Sequence, residues 1–212
     1  MNKRILIPGI LVVLKFLLQY FLVSEVYELH RDEYMHLDQA HRLAWGYFST
    51  PPFTSWISWL ISALGNSEFW VRFFPALFGA LTLLVVWKLI EEMKGSRYAL
   101  ILGGLCVLFS PLLRLNGLFQ PNSFDVLAWT SVYYFLARYL RTEQATWLFA
   151  GAVVFGLGFL NKYNIAFLLM GLLPALLLSP HRKVLLRKEF YGAALLAFLI
   201  LLPNLIWQYR HD

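Results

Sequence analysis

Apolar residues in this chain come in runs of roughly 15 to 22, separated by short charged clusters. That pattern suits helices crossing a hydrocarbon core about 30 Å thick, not a barrel's alternating strands of about ten residues. Seven spans are predicted: Ile5 to Ser24, Phe69 to Ile90, Tyr98 to Leu115, Phe124 to Leu140, Thr146 to Leu160, Ile165 to Ser179 and Phe190 to Pro203. The first follows Met1-Asn2-Lys3-Arg4 and lacks a small-x-small cleavage site, so it is read as a retained anchor and not a signal peptide. Between the first two spans lies a polar, aromatic-rich segment from Glu25 to Glu68.

Two short helices are predicted inside that segment. Phe53, Trp56, Ile57, Leu60, Ile61 and Leu64 recur with helical spacing opposite Ser55, Ser58 and Ser62, an amphipathic pattern expected to lie in the membrane interface. Pro51-Pro52 precede it and Gly65 ends it. A helix from Asp32 to Trp45 would place Asp32, His36 and Gln39 on one polar face and turn Glu33 toward apolar surface with Leu37, Ala40 and Ala44.

Composition supports the membrane reading: 59% of the 212 residues are hydrophobic, 14% are charged, and mean hydropathy is +0.61. The net charge of +6 falls in short loops, where it serves insertion and contact with anionic lipid, not nucleic acid. With a cytoplasmic N-terminus, eleven Lys and Arg residues fall on inner segments and six on outer ones, and Lys15 stays inside a span. This asymmetry places residues 25–68 outside the cytoplasm. A single cysteine, Cys106, excludes an intrachain disulfide or a thiolate metal site. The histidines are too scattered to argue a metal site, so none is assigned, and the cofactor stays open, a divalent cation included.

Six motifs in order, spread over essentially the whole chain, resemble bacterial family 39 membrane glycosyltransferases, relatives of protein O-mannosyltransferases and of lipid A aminoarabinose transferases. They are L-H-R-D-E-Y at Leu29 to Tyr34, L-A-W-G-Y at Leu43 to Tyr47 with Pro51-Pro52, S-E-F-W-V-R-F-F-P-A-L at Ser67 to Leu77, Q-P-x-x-F-D at Gln120 to Asp125, L-N-K-Y at Leu160 to Tyr163, and P-N-L-I-W-Q at Pro203 to Gln208. The resemblance implies an all-α, polytopic C-type glycosyltransferase fold in a bacterial inner membrane, with residues 1–212 forming one transmembrane domain. It also implies a polyprenyl-phosphate sugar donor and an outer-loop catalytic Asp, here Asp32, with an unidentified glycan, lipid or protein as acceptor.

Transfer from a lipid phosphate, with inversion, needs a base for the acceptor hydroxyl and cations for the departing phosphate. Asp32 is the candidate base, with Glu33 beside it as an acceptor-positioning carboxylate. Lys162 and Arg72 are the candidate phosphate cations. The fifth and sixth spans reach only about 22 Å at 1.5 Å per residue, which would recess the tip at Asn161 to Asn164 and with it the Lys162 ammonium. A snorkelling loop lysine is the alternative there, as a headgroup anchor is for Arg72. His36 on the polar helix face, and Tyr47, Gln120, Asp125 and Tyr163 within the motifs, are assigned to substrate positioning. Relatives often carry a carboxylate ahead of the P-P pair, whereas this chain has Ser49-Thr50, and they usually run well past a seventh span, so a truncated product is expected. The rivals to the enzyme are a lipid-linked substrate transporter or flippase, which would favour charge near the bilayer midplane, and an inactive fragment.

Overall fold

The computed structural model describes residues 3–22 and 28–211, and all of their regular structure is helical. In chain order the helices are α1 (Lys3–Phe21), α2 (Arg31–Asp38), α3 (Phe53–Ala63), α4 (Glu68–Glu92), α5 (Arg97–Leu108), α6 (Leu112–Leu115), α7 (Pro121–Thr142), α8 (Ala145–Asn161), α9 (Ala166–Leu178) and α10 (Lys188–His211). Each predicted span has its helix. The predicted end of the first, at Ser24, and the start of the loop at Glu25 lie outside the described residues.

Three boundaries differ from expectation, each for a local reason. The third span breaks at Ser110-Pro111, where a proline removes a helical donor and the Ser110 hydroxyl accepts from the Leu112 N–H at 3.3 Å, starting the short α6. The helix expected to reach Trp45 ends at Asp38 and passes through a 3₁₀ turn, Gln39–His41. Beyond it the backbone is committed elsewhere: the Trp45 carbonyl accepts from Asn204 Nδ2 at 2.7 Å, and the Tyr47 N–H donates to the Thr50 carbonyl at 3.0 Å. Pro203, expected to close the last span, sits inside α10.

The chain divides into two compact units. The first holds residues through Leu43 together with Thr54–Leu127. Here α1 packs on α4 and α5 around Leu11, Leu83, Trp87 and Leu108. The amphipathic α3 forms where expected and ends at Gly65, whose φ of 99° a side chain rarely adopts, and it turns mainly hydroxyl side chains toward the protein. Thr54, Ser55, Ser58 and Ile61 are buried while Trp59, Leu60 and Leu64 are exposed. Packing chose the small hydroxyl side chains, with the Ser58 hydroxyl returned to the Thr54 carbonyl and Ser55 donating to Gln39 Oε1 at 2.6 Å. Apolar residues are left outward, as a lipid surroundings favours.

The second unit holds Ala44–Phe53 and Ala128–Asp212, with most of α7 and all of α8, α9 and α10. Helices α8 and α10 lie so close that a Cβ on Gly156 would fall 2.7 Å from the Ile200 side chain. Helices α4 and α10 are long and apolar enough to cross a membrane, and residues 6–21, 97–108, 145–161 and 163–178 form shorter apolar helices. The apolar stretch of α10 is only 17% buried, a surface suited to lipid.

Candidate active site

In the first unit, motifs far apart in sequence converge on the N-terminus of α2. His30 caps the helix: its Nδ1 accepts the Asp32 N–H at 3.2 Å, while its own N–H donates to Glu33 Oε2 at 2.6 Å. This is a capping box with histidine in the place usually held by Ser or Thr. Glu33 therefore points back and inward and is fully buried. Its other oxygen, Oε1, accepts from Arg72 Nη1 at 2.6 Å and from the Phe119 N–H at 2.7 Å. Three donors thus converge on one buried carboxylate. The expectation that Glu33 faces apolar surface is corrected, because the cap geometry, not the helix-wheel angle, sets its direction.

Arg72, on α4, is 8% exposed at its side chain and gives the same Nη1 to the Gly117 carbonyl at 2.8 Å, with Glu68 3.7 Å from Nε. Nη1 of the guanidinium assigned to a donor phosphate is thus engaged by Glu33 and the Gly117 carbonyl. That backbone segment is itself held from α1. Lys15, fully buried in its span, donates to Asn116 Oδ1 at 3.2 Å, and Asn116 Nδ2 donates to the Pro75 carbonyl at 3.2 Å. A side chain at Gly79 would collide with Asn116, its Cβ coming within 2.6 Å.

Asp32 turns the other way. Its side chain is 39% exposed, and Oδ2 accepts from Gln120 Nε2 at 3.1 Å, with the exposed Arg31 Nε 3.4 Å from Oδ1. Gln120 is in turn oriented by Asn122 Nδ2 at 3.1 Å. His36 is buried, its ring edge-on to Phe119 at 6.4 Å, and burial pushes its pKa below the ordinary value despite Gln39 and Asp32. A neutral imidazole suits hydrogen bonding, not anion binding. Asp125 is buried near the start of α7. The fold therefore brings Asp32, Glu33, His36, Arg72 and Gln120 together: one accessible carboxylate beside one locked in an ion pair.

The remaining predicted residues belong to the second unit, where the other three motifs meet. Asn204 is fully buried, donating to the Trp45 carbonyl and accepting from the Tyr163 hydroxyl at 3.1 Å. That hydroxyl also accepts from Gln208 Nε2 at 2.9 Å. Gly46 lies beneath Trp207, leaving no room for a Cβ, which would sit 2.5 Å from the ring. Tyr163 is thus a clamp between α10 and the 3₁₀ turn Tyr163–Ile165. Lys162 is half-buried at the C-terminus of α8. The Tyr47 hydroxyl accepts from the Ala44 N–H at 3.3 Å.

Sequence reasoning missed His30, the 116–119 backbone, Lys15 and Asn204. Three of these carried a signal: His30 and Asn204 lie within the motifs, and a lysine within an apolar run, Lys15, must find an internal partner.

Comparison with known proteins gives a family and a fold. Residues 49–207 match the family described as dolichyl-phosphate-mannose-protein mannosyltransferase. The chain is 28% identical to the lipid A galacturonosyltransferase RgtD of Rhizobium johnstonii over 212 residues, which is 96% of this chain and 44% of that protein. Over 110 residues, 49% of this chain and 12% of the relative, it is 36% identical to protein O-mannosyltransferase 1 of Drosophila melanogaster. The fold matches the Saccharomyces cerevisiae protein O-mannosyltransferase Pmt1-Pmt2 complex bound to the sugar donor, with a TM-score of 0.76 at 17% identity, covering 100% of this chain and 34% of the other. This chain thus spans under half the length of each of these relatives.

Proposed function

Because the chain belongs to the dolichyl-phosphate-mannose-protein mannosyltransferase family, we propose that it carries the catalytic carboxylate of a membrane glycosyltransferase that uses a polyprenyl-phosphate sugar. The observation that carries this reading is the split pair on α2. Glu33 is consumed by Arg72 and two backbone amides, which fixes the helix start, and Asp32 is left accessible with one neutral hydrogen-bond donor from Gln120.

In the proposed step the acceptor hydroxyl attacks the sugar's anomeric carbon, the bond from that carbon to the phosphate oxygen breaks, and the hydroxyl proton passes to Asp32. Attack from the face opposite the leaving phosphate inverts the anomeric centre. A phosphate leaves as a stable anion, so no general acid is required, but a cation strengthens its departure. Lys162 is the cation proposed for that part, with Tyr163 holding the turn that carries it, and Arg72, whose Nη1 is engaged on Glu33, is the second candidate. His36, Gln120, Asp125 and Tyr47 are proposed to position substrate.

The test is transfer from a radiolabelled polyprenyl-phosphate sugar by the full-length protein in detergent, with donor concentration varied. Lys162→Met is expected to raise the donor KM and lower kcat, since the cation binds the ground-state phosphate and stabilises the leaving group further. Lys162→Arg should keep part of both. Unchanged constants for Lys162→Met would reject the phosphate role. Transfer from a sugar nucleotide but not from the lipid-linked donor would overturn the donor class.

The proposed orientation puts the N-terminus in the cytoplasm of a bacterial cell and residues 25–68 outside it. In a Cys106→Ala background, an exposed cysteine at Ser49→Cys should react with a membrane-impermeant thiol reagent added to intact cells, and one at Ser96→Cys should not. The reverse labelling pattern would invert the topology.

A further inference from the structure

Helix α9 meets the rest of its unit chiefly through the 3₁₀ turns at its two ends, Tyr163–Ile165 and Arg182–Leu186. Along its length it stands away from α8 and α10. The gap is a cavity of about 420 Å³ lined almost wholly by carbon, from Leu136 of α7, Trp147 and Phe155 of α8, Leu172 of α9, and Phe190 and Phe198 of α10. That volume falls within the ~300 to 1,000 Å³ typical of small-ligand sites. An apolar gap of this kind inside a membrane domain is filled by hydrocarbon.

The cavity is not uniform in its surroundings. It follows the N-terminal halves of α8 and α10 and the C-terminal half of α9, the opposite end of these helices from Lys162. At that end the stretches 138–147 and 181–190 carry six cations, Arg138, Arg141, Arg182, Lys183, Arg187 and Lys188, against two carboxylates, Glu143 and Glu189. The Arg138 guanidinium lies 4.4 Å from the centre of the Trp147 ring, which lines the cavity. Arg187 spans from the other stretch to Glu143 at 2.8 Å, leaving Arg182, Lys183 and Lys188 exposed. Apolar slot and basic rim are thus joined through one aromatic residue.

We propose that this slot is a binding site for one anionic phospholipid of the bilayer, an acyl chain lying between α9 and the α8–α10 pair and the phosphate headgroup held at the basic rim. Charge complementarity fixes the occupant: the rim exposes Arg182, Lys183 and Lys188, and basic pockets between membrane helices bind acidic headgroups. The inference is independent of the sugar donor.

The test titrates the delipidated full-length protein with phosphatidylglycerol and with phosphatidylcholine of the same acyl chains, counting bound lipids by native mass spectrometry. One phosphatidylglycerol should be retained at least tenfold more tightly than phosphatidylcholine, less so at high salt. Ala194→Trp, which fills the slot from an exposed position on α10, should abolish that retention. The exposed triple variant Arg182→Gln, Lys183→Gln, Lys188→Gln should bring phosphatidylglycerol to the level of phosphatidylcholine, and it decides the matter should Ala194→Trp fail to fold. Equal affinity for both lipids in the wild type would overturn the proposal. So would displacement of phosphatidylglycerol by equimolar polyprenyl phosphate, which would give the slot to the donor's tail.

Discussion

Asp32→Asn is expected to lower the rate of sugar transfer by a factor of about 10² to 10⁴ while leaving the protein's abundance and melting temperature close to wild type. The separation of the two effects follows from the local geometry. Gln120 Nε2 donates to Asp32 Oδ2 at 3.1 Å, and an asparagine carbonyl oxygen can accept the same bond. The side chain is 39% exposed, so its new amide group meets water and not a buried acceptor. What asparagine cannot do is take the acceptor's proton. Asp32→Glu keeps the base but displaces it by one methylene, and should recover only part of the activity, because a base must stand within hydrogen-bond reach of the proton it removes. Initial rates at saturating donor, measured with the full-length protein, give the comparison directly. An asparagine variant with more than half the wild-type rate would remove Asp32 from the chemistry.

The helices were legible because apolar runs of this length have few alternatives to a membrane-spanning helix, and Gly65 and Pro51-Pro52 mark breaks that the structure keeps, whereas the break at Pro111 was read through. The directions of side chains on short helices were not. Helical spacing alone turned Glu33 toward apolar surface and left open which face of α3 meets the protein. Tertiary contacts decided both, through a histidine cap in one case and close packing of small hydroxyl residues in the other. The partner of Glu33 was hidden for a different reason. Arg72 stands 39 positions away and looked like one more cation at the outer edge, and backbone donors such as the Phe119 N–H leave no trace in side-chain chemistry. The motifs proved informative as sets: D-E, the S-E-F-W-V-R run and Q-P-x-x-F-D meet around α2, while W-G-Y, N-K-Y and P-N-L-I-W-Q meet around Asn204. Short polar motifs between apolar runs mark the places where helices are tied to one another.

The second large effect is expected at the buried pair. Glu33 is fully buried and Arg72 nearly so, at 2.6 Å. Removing one partner of such a pair leaves an uncompensated charge in a dry environment and costs roughly 3 to 5 kcal/mol. Arg72→Met should therefore lower the melting temperature of the detergent-solubilised protein sharply, because the Glu33 carboxylate would keep only the His30 and Phe119 N–H donors. Glu33→Gln should act similarly, since its amide nitrogen must be turned toward one of three donors and can accept from none of them. The double variant Glu33→Leu, Arg72→Met removes both charges and should recover much of the stability lost by Arg72→Met alone, as apolar replacement of a buried pair often does. It should not recover transfer. Without the Glu33 bonds to His30 and Phe119, the start of α2 is no longer fixed against the 116–119 backbone, and Asp32 loses its placement beside Gln120. Melting curves and transfer rates on the three variants distinguish this from a direct chemical role. If Glu33→Gln melts like the wild type yet transfers no sugar, Glu33 acts on the substrate itself, and the ion pair is not what fixes the site.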